Sequence, residues 1–354
     1  MALFLDSLLI DNYRIFRHLE IERLGRANLI VGRNNAGKST VLEALRLYAS
    51  GGSEQVLWSI LESHDETRGS APEQAGDRLF SLQQLFHGRD SEWDSQKEIR
   101  IGSTRDLKST LRIRVGNITF DTSHGQRFSN TRPTLSVFAG DNSHSVPLDV
   151  DWTKPNVMFR FAASEQELTR QGYVPPSGLT EDVAARQWDM VALTDLEDAV
   201  IDALRIISPE IERISFIGEH GRNRVPVAKL TSQPKPVRLR SLGDGVNRML
   251  GIALSLVAAR GGILLLDEVE NGIHFSAQER LWRLIFQTAH RLDIQVFATT
   301  HSWDCIEAFQ RAASNDQHEE AVLVRLDVRR DAVSPTSFSE NDLSIVTREQ
   351  IEVR

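Results

Sequence analysis

Apolar residues along this chain keep two rhythms, helical and alternating, and the places where one gives way to the other mark its elements. Residues 3–10 (Leu-Phe-Leu-Asp-Ser-Leu-Leu-Ile) read as a strand ending at the turn-prone pair Asp11-Asn12. Residues 13–21 alternate well enough for a second strand, leading toward the short apolar run Leu29-Ile30-Val31. A helical stripe covers 41–49 and is closed by Gly51-Gly52. Helices are also predicted over 54–63 and 78–86, joined by a Gly/Ser/Pro/Glu-rich connection. From Glu98 the period falls to two. Glu98-Ile99-Arg100-Ile101 and Leu111-Arg112-Ile113-Arg114-Val115 set apolar positions against basic ones, the pattern of half-buried antiparallel strands. Ile118-Thr119-Phe120 and Leu135-Ser136-Val137-Phe138 continue that meander. The arginines predict a solvated outer face, with a nucleic-acid surface as the alternative.

Farther on, strands are predicted over 155–162, 171–175 and 211–217, and a helix over 194–207 with Thr194 and Asp195 as candidate caps. An apolar helix over 246–259 precedes Gly261-Gly262 and the wholly apolar Ile263-Leu264-Leu265-Leu266, which has the character of a strand buried on both faces. Residues 295–302 (Gln-Val-Phe-Ala-Thr-Thr-His-Ser) form another strand, ending at a histidine. No repeat of fixed period and no heptad run sustained over several turns occurs.

The turn after Val31 carries chemistry. Gly32-Arg33-Asn34-Asn35-Ala36-Gly37-Lys38-Ser39-Thr40 satisfies the spacing G-x-x-x-x-G-K-[ST] between an apolar strand and a helix. Its glycines let backbone N–H groups converge on an anion, and the positive end of the helix starting near Gly37 holds a β-phosphate. Lys38 adds a point charge between β- and γ-phosphates, and the Ser39 hydroxyl is a ligand for Mg²⁺. The expected ligand is a nucleoside triphosphate.

Two acids close the buried run 263–266, and the carboxyl ends of such strands face the ligand crevice of an open α/β sheet. Asp267 would hold Mg²⁺ opposite Ser39, and Glu268 would orient and deprotonate the water attacking the γ-phosphate. A lone histidine is ordinarily structural, but His301 ends a strand downstream of those acids, where it would sense the γ-phosphate and polarise the transition state. A second anion-binding device, Ser241-Leu242-Gly243-Asp244-Gly245, leads into the 246–259 helix. One nucleotide does not require two cradles from one chain. The economical arrangement is a two-fold dimer in which Ser241, Gly243 and Gly245 cap the γ-phosphate bound to the other copy.

Composition changes this picture only at its edges. With 354 residues the chain has room for one α/β domain with an insertion or for about two domains. It lacks an apolar run approaching the ~18 residues of a membrane span, and its start has no basic segment or cleavage site of a signal peptide. The single cysteine, Cys305, rules out an intrachain disulfide and fits a reducing compartment, so a cytoplasmic location is expected. A net charge of −8 argues against a surface coated all over in nucleic acid, yet it leaves room for a local basic groove. Arg222, Arg224, Lys229, Lys235, Arg238 and Arg240 form one basic stretch. It reads as an exposed hairpin, with a phosphate-facing loop or DNA contact as the alternative.

These four segments, in this order, resemble the ABC-type ATPases of the SMC, RecF and OLD (overcoming lysogenization defect) group. Residues 32–40 look like their Walker A form, and 241–245 are similar to the signature loop of the OLD-like branch rather than to that of transporters. Leu266-Asp267-Glu268-Val269-Glu270-Asn271-Gly272-Ile273-His274 resembles Walker B running into the D-loop, and Thr299-Thr300-His301-Ser302 the switch-histidine strand.

The resemblance implies an α/β, ABC-type P-loop NTPase fold with a mixed or parallel central sheet, an antiparallel β subdomain and a helical insertion. It makes residues 1–354 one ATPase domain, with an N-terminal lobe (1–175) and a C-terminal lobe (176–354). It further implies ATP and Mg²⁺ as cofactors, with Lys38, Glu268 and His301 in catalysis.

Departures narrow the reading. Long coiled-coil arms are missing, and Asp327 and Asp331 stand too far apart for the D-x-D pair of the Toprim nuclease domain that OLD nucleases append. Pro175-Pro176-Ser177 occupies the turn where a Q-loop glutamine belongs, with Gln171 the nearest glutamine. The chain therefore resembles a stand-alone OLD-like ATPase, forming an ATP-dependent homodimer or higher oligomer. It would control a separate effector, possibly a Toprim-type nuclease, in a two-gene anti-phage system and without membrane association. The alternative is a RecF-like repair clamp binding DNA directly; a transporter's nucleotide-binding subunit fits the signature less well. Tyr13 or Phe16 would stack on the adenine, unless both serve the core.

Overall fold

A computed structural model describes residues 3–67, 75–89, 97–120, 130–149, 170–218, 224–314, 321–329 and 332–349. The strand expected at 155–162, together with Arg222 and Asp331, lies outside them.

The chain opens with a hairpin, β1 (Leu8–Tyr13) and β2 (Phe16–Ile21), before β3 (Ala27–Gly32) runs into the phosphate loop. Helices α1 (Lys38–Ala49), α2 (Glu54–Ser63) and α3 (Ala75–Gln83) follow. Then come the meander strands β4 (Glu98–Gly102), β5 (Leu111–Phe120), β6 (Asn130–Ala139) and β7 (Asn142–Pro147). Together they make an antiparallel six-stranded sheet in the order β2-β1-β4-β5-β6-β7. The arginines on its outer face are in ion pairs, Arg100 with Asp11 and Arg114 with Glu98, while Arg112 lies over the Phe138 ring.

A second sheet carries the segments singled out for chemistry. Strand β8 (Gln171–Val174) precedes α4 (Glu181–Asp189), α5 (Asp195–Arg205) and a small antiparallel sheet of β9 (Ile211–Ile217), β10 (Val225–Leu230) and β11 (Val237–Arg238). Thereafter come α6 (Asp244–Ala258), β12 (Ile263–Leu266), α7 (Phe275–Leu292) and β13 (Gln295–Thr299). The described chain ends with α8 (Trp303–Ala313), β14 (Ala321–Arg329), β15 (Ala332–Phe338) and α9 (Glu340–Arg348). The mixed sheet has the order β15-β14-β3-β13-β12-β8, parallel throughout except for the antiparallel edge strand β15.

The continuous apolar runs of this sheet follow from its burial on both faces. Successive side chains of a strand point to opposite sides, and here they enter two different cores. Ile30, Ile263, Leu265 and Phe297 join the core shared with the antiparallel sheet and α1. Leu29, Val31, Leu264, Leu266 and Val296 join the core of α6, α7 and α8.

Some sequence expectations need correction. Asp11-Asn12 is not a turn: both residues belong to β1, residues 3–7 are not in that strand, and the reversal falls at Arg14-Ile15 between the paired Tyr13 and Phe16. Asn12 (φ 55°) takes left-handed backbone, which asparagine tolerates, and Arg14 (φ 49°) is held in it at the turn with its N–H donating to Leu85 O at 2.8 Å. Tyr13 and Phe16 are fully buried, so neither is available to a base. The strand over 295–302 stops at Thr299, leaving His301 in the loop that Ser302 caps by accepting the Cys305 N–H. Among the described residues no helix is long and apolar enough to cross a membrane.

Candidate functional site

Strand order creates the site. β13 lies between β3 and β12, so the carboxyl ends of these three parallel strands are neighbours although they come from distant parts of the sequence. The loop from β3 turns through Asn35 (φ 62°) and Gly37 (φ 92°) into α1. A side chain on Gly37 would be strained and would also collide with the hairpin tip. Its Cβ would fall 2.5 Å from Ile15 Cδ1 and 2.6 Å from the Phe16 ring. Arg33, Asn34 and Asn35 are exposed and Ala36 is buried, while Thr40 is half-buried in the first turn of α1. Lys38 folds back along the loop, its Nζ donating to the carbonyls of Gly32 at 2.8 Å and Arg33 at 3.0 Å. Burial pulls its pKa below the usual lysine value, against the opposing pull of Asp267, Glu268 and Glu270.

Across the gap, Ser39 Oγ donates to Asp267 Oδ1 at 3.2 Å. Thr299 completes the contact from β13. Its Oγ1 donates to the same carboxylate oxygen at 2.6 Å and accepts the Glu268 N–H at 2.8 Å. Asp267 is only 4% exposed, and the Lys38 ammonium and the Arg248 guanidinium act on its carboxylate through space. A buried carboxylate that takes its hydrogen bonds from hydroxyl groups suits a hard cation, which prefers oxygen donors. No cluster of three or more His, Cys, Asp or Glu able to hold a metal occurs among the described residues.

Glu268 has φ 50°, left-handed backbone that a non-glycine residue holds only when its surroundings impose it. Its Oε1 lies 3.7 Å from His301 Nε2, and the His301 N–H donates to Glu270 Oε1 at 3.0 Å. The structure therefore brings Lys38, Ser39, Asp267, Glu268 and His301 to one end of the sheet.

The signature residues are arranged differently from the expectation of a serine and two glycines at one helix start. Ser241 stands a turn earlier, in the 3-10 segment Leu239–Leu242, with its Oγ donating to Arg238 O at 2.7 Å. Gly243 (φ 105°) is the N-cap of α6, while Gly245 lies inside the helix. Gly245 also has a packing role: a Cβ there would come 2.6 Å from Gly272 O, so a hydrogen is what lets α6 approach the turn after β12. Gln171 opens β8 opposite Ile263, at the far end of the sheet from Asp267, and cannot act as a Q-loop glutamine. Two of the five described residues of the basic stretch are neutralised locally, Arg224 by Asp189 and Lys229 by Glu212.

Sequence reasoning gave no individual role to three residues, although two of them, Thr299 and Glu270, lie inside the motifs quoted above. Thr299 had a usable signal, a β-branched hydroxyl at the end of a strand parallel to β12. Arg248 and Glu270 gave none, because their partners are backbone atoms and a neighbouring loop.

A model of the family described as "AAA domain, putative AbiEii toxin, Type IV TA system" matches residues 27–304. A Helicobacter pylori protein called ATP/GTP phosphatase is 27% identical over 340 residues, 86% of this chain and 86% of its own. The DNA replication and repair protein RecF of Rickettsia bellii is 41% identical over 49 residues, 14% of each chain. The Smc head bound to the C-winged helix domain of ScpA aligns with a TM-score of 0.52 at 11% identity, covering 95% of this chain and 98% of that one. That likeness concerns the fold alone, which is the α/β architecture of an ABC-type P-loop ATPase.

Proposed function

Because the chain belongs to this AAA-domain family and is an ATPase, we propose that it binds ATP with Mg²⁺, closes on a second copy of itself around that nucleotide, and thereby controls a separate effector. The observation that carries the reading is the meeting of Ser39 Oγ and Asp267 Oδ1 at 3.2 Å, beside a lysine held on the carbonyls of its own loop. In this reading the backbone N–H groups of residues 32–40 bind the phosphates, and Lys38 leaves the Gly32 and Arg33 carbonyls to neutralise the β,γ-bridge. Ser39 and Asp267 would hold Mg²⁺, which supplies charge compensation on the phosphates when bound. Glu268 accepts the proton of the attacking water. His301, within reach of Glu268, donates toward the γ-phosphate oxygens, and Ser241, Gly243 and Gly245 close over them from the partner copy.

Residues 1–354 then work as one ABC-type unit. The lobe up to residue 175 carries the phosphate loop, and the lobe from 176 carries the signature loop, Walker B and switch histidine. The family's description as a putative toxin of a Type IV TA system supports a two-gene context; the OLD-like defence role, the cytoplasmic site of action and the nuclease-type effector belong to the same proposal and rest on the resemblance of the motifs.

Glu268→Gln is the test. It should leave ATP affinity unchanged, lower kcat by at least about a hundredfold and accumulate an ATP dimer visible by light scattering. The dimer should vanish when Ser241→Arg is added, and Lys38→Ala should abolish nucleotide binding. Normal turnover in Ser241→Arg would end the composite-site reading.

A second reading, the RecF-like clamp, is favoured by one observation. Lys235, Arg238 and Arg240 form no ion pair among the described residues, unlike Arg224 and Lys229. DNA-stimulated turnover that is lost when those three are neutralised would select it.

A further inference from the structure

Arg248 lies in the second turn of α6, 4% exposed, and its guanidinium donates its hydrogen bonds to backbone carbonyls rather than to carboxylates. Nη2 donates to Asp267 O at 2.5 Å and to Glu268 O at 3.0 Å, and Nη1 donates to Pro175 O. Its Nε is buried without a partner. One side chain thus joins the helix that follows the signature loop to two separate turns, the exits of β12 and β8.

A buried cation whose hydrogen bonds all go to carbonyls, with the carboxylates of Asp267, Glu270 and Glu268 only acting on it through space, is a costly way to pack an interface that an aliphatic side chain would fill. The geometry gives it a purpose. The left-handed Glu268 has its N–H held by Thr299 Oγ1, and its C=O accepts from Arg248 as well as from the Asn271 N–H of its own turn at 2.9 Å, so α6 reaches a carbonyl that the turn after β12 also holds. The exit of β8, where no glutamine stands, is tied to the same assembly twice. Pro175 O accepts from Arg248, and Pro176 O accepts from Asn271 Nδ2 at 2.9 Å. Any rotation of α6 must pull on the Glu268 carbonyl through Arg248, because a planar guanidinium donating to three acceptors has little freedom to slip.

We propose that Arg248 is a positioning residue that couples the signature loop to the general base, so that Glu268 is correctly placed only when α6 is in its nucleotide-capped position. This rests on the ATP-sandwich reading above. It goes beyond that reading by assigning the link from dimer closure to hydrolysis to a residue that touches neither nucleotide nor partner.

The experiment compares Arg248→Met and Arg248→Lys with the native chain. Arg248→Met should bind ATP within about threefold of native affinity and, combined with Glu268→Gln, still form the ATP dimer. Its kcat should fall at least about tenfold with KM little changed, the mark of a lost transition-state placement rather than of lost binding. Arg248→Lys should recover part of that loss, since an ammonium can serve the Asp267 and Glu268 carbonyls but cannot also span to Pro175.

Turnover within twofold of native in Arg248→Met would overturn the proposal. So would joint loss of nucleotide binding, dimer formation and turnover, which is what a merely structural role predicts. If Arg248→Met does not fold, Arg248→Lys decides: native turnover with intact ATP binding refutes the coupling, and reduced turnover with intact binding supports it. Failure of the underlying reading looks different, because Lys38→Ala would then bind ATP as the native chain does.

Discussion

Replacing Thr299 by valine tests the site at its least conspicuous point. The exchange keeps the branched shape in a fully buried position and deletes one hydroxyl. That hydroxyl gives a 2.6 Å hydrogen bond to the Asp267 carboxylate and takes the Glu268 N–H at 2.8 Å. A hydrogen bond to a charged acceptor contributes about 1.5–3 kcal/mol, and a buried N–H left without an acceptor costs about 1–3 kcal/mol. The lower half of the summed range, about 3 kcal/mol, is the expected local destabilisation, because water can reach a partly exposed Glu268. The N–H term alone corresponds to about tenfold to a hundredfold faster amide exchange, at ~1.4 kcal/mol per factor of ten. Hydrogen–deuterium exchange on a peptide spanning Leu266 to Gly272 reads that change directly, and steady-state ATPase assays should show kcat falling while Thr299→Ser stays close to native. Unchanged exchange at the Glu268 amide, with unchanged turnover in Thr299→Val, would refute the claim that β13 organises the two acids.

Other consequences are equally direct. Gly245→Ala adds a methyl only 2.6 Å from Gly272 O. It should cost about 1–3 kcal/mol in a denaturation experiment and reduce turnover more than ATP binding. A more stable variant, as helix propensity alone would give, contradicts the close approach. Glu54, first residue of α2, has a buried Oε1 without a partner, and burial lifts its carboxyl from 4.5 to about 7. Across that window the folded form keeps a proton that the unfolded chain has released, so stability falls as pH rises and the loss is complete above it. Glu54→Gln should therefore raise the unfolding midpoint increasingly from about pH 5 to about pH 8. Equal midpoints at the higher pH would show that the carboxylate is well solvated.

Local signals in the chain were strong where a single segment decides its own state. The helix read over 54–63, the strand over 211–217 and the strand over 263–266 appear with those limits, because propensity, caps and apolar runs act over a few residues. The hairpin at 8–21 was misplaced by its turn. Nothing in Asp11-Asn12 shows that pairing with β4 and β2 will hold both residues in a strand.

By itself the sequence singled out the residues proposed to carry chemistry: the lysine and serine after a glycine turn, the two acids closing an apolar run, and a histidine beyond a third strand. Spacing and residue type are enough to specify a phosphate cradle and its acids, since each is built within one strand and the turn that follows it. Only the tertiary structure decided that β13 would lie between β3 and β12. It thereby brought Ser39 to Asp267 across 228 residues, with Thr299 binding that acid and Arg248 the carbonyl of the next. Those contacts depend on strand order and on helix packing against backbone carbonyls. Both are settled by burying two apolar faces of one sheet at once, a condition of the whole chain that no short stretch of it encodes.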